Sequence, residues 1–192
     1  DFSFMKNTKF WLLTALVFCQ NAAETGVTGW LVTYYKNQGI LSGTLSAYTV
    51  TIMWGATLLC RLLIAFVFPI RNTFKALMMM GIGCSAFYVL LIVSHQPVAA
   101  VLMLFCFAFS MAGVNPVAVA GVGKMMNATS MGVLLPIASI GAILAPWMIG
   151  VVAQYLGLQA GMMVNLIPCI GIFVLSFILL GQTKNSADVS QR

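Results

Sequence analysis

Acidic side chains are almost missing from this chain, which carries three Asp and Glu in 192 residues against nine Lys and Arg. Charged residues make up only 6% of the sequence, 61% is hydrophobic and the mean hydropathy is +1.03. A soluble domain so composed would lack the polar surface to cover itself, so a lipid bilayer is the implied solvent. Metal-binding chemistry is equally sparse: there is one histidine, and the five cysteines Cys19, Cys60, Cys84, Cys106 and Cys169 are odd in number and each lie in an apolar stretch. That pattern gives neither a disulfide framework nor a set of metal ligands, and no cofactor is expected. The sequence also lacks a phosphate-cradling glycine loop and a nucleophile paired with a base, which argues against an enzyme. The net charge of +6 is carried by basic residues standing singly between apolar runs. Without a basic stripe, nucleic acid is excluded as a partner.

What the chain has instead is long apolar runs. A helix needs about 20 mostly apolar residues to cross the hydrocarbon core. Six stretches meet that length, near residues 10–35, 43–68, 74–94, 98–120, 129–155 and 159–181. Turn-forming and polar residues separate them: Lys36-Asn37-Gln38-Gly39, Pro69-Ile70-Arg71-Asn72, Ser94-His95-Gln96-Pro97, Gly123 to Asn127, and Gly157-Leu158-Gln159. Such short connections make neighbouring helices antiparallel. The predicted fold is therefore an all-α integral membrane domain of six transmembrane helices over residues 1–182, followed by a mobile, polar tail at 183–192. Lys6, Lys9, Arg71, Lys75, Lys124, Lys184 and Arg192 fall on one side of that topology and Lys36 on the other. Basic residues are retained in cytoplasmic loops, so both termini are expected in the cytoplasm and His95 at the outer interface. The first apolar run exceeds the roughly 7–15 residues of a signal-peptide core. With Asp1 in place of an initiating Met, the chain is expected to be a piece of a longer protein.

Glu24 is the only acidic residue between Asp1 and Asp188, and it lies inside the first apolar run. A carboxylate at bilayer depth costs several kcal/mol unless it faces protein or water, which makes it a functional candidate by default. On a helix, Gln20, Asn21, Glu24, Thr25 and Thr28 share one arc, while Ala22, Gly26 and Gly29 group on the other side. The small face suits close packing of helices. The polar face suits either a water-filled cavity or a hydrogen-bond network that ties helices together. Arg61 is the only basic residue well inside a span, with Trp54 and Thr57 on its face. It either snorkels to the inner interface or serves a site, and counting helical rise places its Cα about 10 Å in depth from that of Glu24. In the fourth span, "AGVNPVAVAGVG", Pro116 removes a helix hydrogen bond and Asn115 supplies an amide beside the freed backbone. The fifth span carries a small stripe of Ala138, Gly141, Ala142 and Ala145 between Pro136 and Pro146, and the sixth carries Asn165 and Pro168. These read as packing features.

With "ETGVTGWLVTYY" at Glu24 to Tyr35 and "TIMWGATLLCRLL" at Thr51 to Leu63, the chain resembles the second six-helix half of a major facilitator superfamily transporter. It is most similar to the fucose permease type of sugar and proton symporter. In that family the first helix of this half carries an acidic residue followed by Gly-Trp, here Glu24 with Gly29-Trp30, and the next helix a Gly-rich stretch ending in Arg, here Gly55 to Arg61. Two positions depart from the pattern. Cys60 stands where Gly commonly precedes the Arg, and the loop "FVFPIRNTFK" lacks the acidic residue of the superfamily's loop motif. The resemblance implies two inverted three-helix repeats and alternating access about a site shared with an N-terminal six-helix half that is not in this sequence. It further implies a bacterial inner (cell) membrane, with a small solute and protons as partners. The amides of Gln20, Asn21 and Asn115 would bond sugar hydroxyls, Trp30, Trp54, Tyr34 or Tyr48 would offer ring faces, and Glu24 would bind solute or couple protons. Two other readings stay open: an organic-anion or drug carrier using the charge of Arg61 or Glu24, and a non-transporting scaffold or sensor.

Overall fold

The fold was obtained as a computed structural model that describes residues 2–68 and 70–189, with the backbone alone over 184–189. Asp1, Pro69 of the second connection and Arg192 of the cytoplasmic set lie outside the described residues. After a short 3-10 turn at Ser3–Lys6, eight helices follow: α1 (Thr8–Asn37), α2 (Gly43–Phe66), α3 (Thr73–Val93), α4 (Pro97–Ala112), α5 (Val114–Val122), α6 (Ala128–Leu156), α7 (Leu158–Val164) and α8 (Leu166–Val189). No strand occurs among the described residues.

The helices start where the sequence supplies caps. Asn7 accepts from the backbone N–H of Lys9 at 3.0 Å, Asn72 from that of Lys75 at 3.0 Å, and Ser42 from that of Leu45 at 3.3 Å. Asn127 and Ser130 form a reciprocal capping box at the head of α6. Each satisfies donors that a helix N-terminus leaves unpaired. Gly157, at φ 87, separates α6 from α7 by a single residue. Only glycine adopts that left-handed conformation without strain.

Among the described residues, five segments are long and apolar enough to cross a membrane: α2, α3, α4 with α5 (Pro97–Met125), α6, and α7 with α8 (Leu158–Thr183). Helix α1 has the length, at 30 residues, but Gln20, Asn21 and Glu24 dilute its hydropathy. The structure shows where that polarity goes. Helix α1 packs against α2, α5, α6 and α8, and its buried residues run from Phe10 to Tyr35. The least apolar of the long helices thus carries many of its residues buried against protein. Two spans are interrupted: the fourth breaks at Gly113, where Pro116 pointed to a kink, and the sixth at Asn165, each three residues before a proline. Helix α8 also continues past Gln182 to Val189, into the stretch read as a mobile tail.

Close backbone approach holds the bundle together, as small residues allow in lipid. A Cβ on Gly141 of α6 would run into the Phe18 carbonyl of α1, and one on Gly81 of α3 would come within 2.7 Å of Phe173 Cα of α8. Three buried tyrosines add hydrogen bonds between helices: Tyr34 donates to Ile92 O at 3.0 Å, Tyr35 to Ala100 O at 3.3 Å and Tyr88 to Met162 O at 2.6 Å. Large apolar side chains such as Met79, Ile143 and Trp147 project outward, as they do when lipid is the solvent.

Candidate functional site

The site begins on α1, one turn apart. Gln20 is fully buried, Glu24 is half-buried, and Gln20 Nε2 donates a short hydrogen bond to Glu24 Oε2. The other amide atom, Gln20 Oε1, is buried without a donor. Thr25 and Thr28 spend their hydroxyl protons inside the helix, on Asn21 O at 2.8 Å and Glu24 O at 3.0 Å. Asn21 is half-buried beside them. The polar arc therefore exists as a face, but its organised chemistry is the Gln20–Glu24 pair.

Arg61 approaches from α2. Its Nε donates to Ala112 O at 3.2 Å, across to the end of α4. The sequence explains why that carbonyl is available. In a continuous helix it would accept from the N–H of the fourth residue on, which here is Pro116 and has none. The ladder resumes one residue later, where Val117 N donates to Gly113 O at 3.1 Å. Asn115 was expected beside the freed backbone, yet a cation from another helix takes the orphan acceptor. This bond fixes the guanidinium, which is therefore not simply snorkelling. Arg61 forms no direct ion pair with Glu24 among the described residues, each being held by a different partner. Arg61 and Asn115 line one open hollow of ≈ 650 Å³, with Pro116, Ile64, Val119 and Met126 among its walls.

Other candidate residues lie apart. Trp30 donates its indole N–H to Pro146 O at 2.9 Å and borders a separate hollow of ≈ 630 Å³ against α6. Trp54 is 48% exposed, two turns before Arg61 on the same face of α2, and Tyr48 is exposed near the start of that helix. Tyr34 is fully buried, so protein covers the ring face that a solute would need.

Two residues that matter to the architecture carried little signal. Ala112 has no chemistry of its own; the clue is its place four residues before a proline. Asn165, read as packing, is 1% exposed at the α7–α8 break and donates from Nδ2 to Ala23 O at 3.0 Å. Its Oδ1 has no hydrogen-bond donor and sits where a Cβ on Gly26 would be. No cluster of three or more potential metal ligands occurs among the described residues. No protein-family model matches the chain, and no curated protein matches it.

Proposed function

We propose that this chain is the C-terminal half of a secondary active transporter, one that works by alternating access and moves a small polar solute such as a sugar together with protons. The observation that carries this reading is the arrangement on α1 and α2: a carboxyl group held by a buried amide, and a guanidinium pinned by a freed carbonyl beside an open hollow. The two groups are held separately and are not closed into one ion pair among the described residues, which leaves each available to a ligand. In the proposed mechanism Glu24 exchanges the coupled proton, and Gln20, Asn21 and Asn115 bond solute hydroxyls. Trp54 offers an exposed ring, while Trp30 links the α1 end of the site to α6. Two inverted three-helix repeats, cytoplasmic termini, a bacterial inner membrane and an N-terminal partner half complete this reading. A carrier for organic anions is the second reading, favoured by one feature: among the described residues Arg61 spends only Nε on the fold.

The test replaces Glu24 by Gln in the full-length protein, keeping shape and hydrogen bonding while removing titration. Proton-driven accumulation in membrane vesicles should be lost and solute exchange retained, at equal levels of folded protein. Unchanged accumulation with unchanged pH dependence would remove Glu24 from coupling. A loss traced wholly to misfolding would return it to a structural role.

A further inference from the structure

The part of Arg61 that the fold leaves unused identifies a class of ligand. A guanidinium presents five N–H donors in a planar fork. Here one of them, on Nε, is committed to Ala112 O. The terminal nitrogens, Nη1 and Nη2, make no hydrogen bond to protein among the described residues, and Glu24 is engaged by Gln20 instead. The fork therefore has its orientation set from behind and its outer donors free, the condition under which Arg binds a carboxylate through two parallel bonds. Arg61 borders the ≈ 650 Å³ hollow that Asn115 also lines. An amide both donates and accepts, as recognition of a hydroxyl requires. The remaining walls, Ile64, Val119 and Met126 among them, are apolar and offer a second charge nothing.

We infer that this hollow is a binding site for a small hydroxylated monocarboxylate, a sugar acid rather than a neutral sugar, with its carboxylate on Arg61 and a hydroxyl on Asn115. The inference rests on the transport reading and narrows its solute. Dicarboxylates are disfavoured because one cation faces the hollow. Neutral sugars would leave the guanidinium's outer donors without an anion.

Arginine-selective modification by phenylglyoxal tests the site directly. The chain is placed in bilayers of zwitterionic lipid, so that no anionic headgroup competes, and the modification rates of Arg61 and Arg71 are read from peptides by mass spectrometry. Gluconate should protect Arg61 and leave Arg71 unprotected, while glucose and inorganic phosphate at equal concentrations should protect it far less. Asn115→Ala should raise the half-protecting gluconate concentration about five- to tenfold, the loss of one hydrogen bond. Equal protection by glucose, equal protection of Arg71, or no protection by gluconate would each overturn the inference. Substituting phosphatidylglycerol for the zwitterionic lipid separates the sources of an oxyanion: protection by the lipid alone, with no further effect of gluconate, would reassign the site to a headgroup. Uptake by the full-length protein is measured separately. Gluconate protection without solute uptake keeps the site and removes the transport reading; glucose uptake without gluconate protection does the reverse.

Discussion

If Arg61 stands in for the N–H that Pro116 lacks, the two residues must be energetically coupled even though they lie on different helices. Consider Arg61→Met, which keeps the aliphatic stem and removes the donor. Ala112 is 1% exposed, so its carbonyl would be left as a buried acceptor without a partner. That loss costs about 1–3 kcal/mol, and the exposure of the Arg61 side chain places the expectation near the lower end, about 1–2 kcal/mol. Pro116→Ala restores a backbone N–H positioned for the same carbonyl. In that background Arg61→Met should cost almost nothing, giving a coupling energy of about 1–2 kcal/mol in a double-mutant cycle. The four proteins can be compared by reversible unfolding in bicelles, with helical circular dichroism and tryptophan fluorescence as independent probes. The same penalty in both backgrounds would show that Arg61 does not complete the broken ladder. No penalty in either would mean that the guanidinium merely snorkels.

Gly26→Ala should destabilise the chain by about 2–4 kcal/mol, because the new Cβ would meet Asn165 Cγ at 2.7 Å and Ile149 Cδ1 at 3.0 Å and displace the amide from Ala23 O. Gly132→Ala on α6, with nothing near the added atom, should instead be neutral or stabilising by about 0.5–1 kcal/mol; similar penalties at the two positions would refute the role of close approach at Gly26. For the topology, single cysteines near Lys36 and Gly157 in a cysteine-free background should react with an impermeant reagent outside intact cells, and those near Arg71 and Lys124 should not. The reverse labelling would invert the orientation.

The apolar runs located the helices closely, since a bilayer imposes length and the connections carry strong turn chemistry. The third span, read at 74–94, is α3 at Thr73–Val93, and the fifth, read at 129–155, is α6 at Ala128–Leu156. The small faces were legible too: Gly26 and Gly141 both lie where another helix comes close. Partners were not legible. Periodicity tells which residues share a face of one helix, but Trp30 and Pro146, or Asn165 and Ala23, are brought together by the packing of helices more than 100 residues apart in sequence. For the same reason Pro116 announced a free carbonyl without revealing that its donor would come from α2 rather than from neighbouring Asn115.

The contact between Gly141 and the Phe18 carbonyl has a mechanical meaning. Any side chain larger than glycine's at that position would force the two helices apart, so the close spacing of α6 against the helix that carries Glu24 depends on Gly141. The junction of α2 with the end of α4 is of a different kind, a side-chain hydrogen bond to a helix already severed at Gly113. Such a link rests on one hydrogen bond, whose loss costs about 1–2 kcal/mol. The two junctions of this chain are therefore unlike, with close backbone contact along α1 and a single hydrogen bond beside Arg61. A ligand seated at Arg61 would press on the weaker junction, while Glu24 is carried on the closely packed helix.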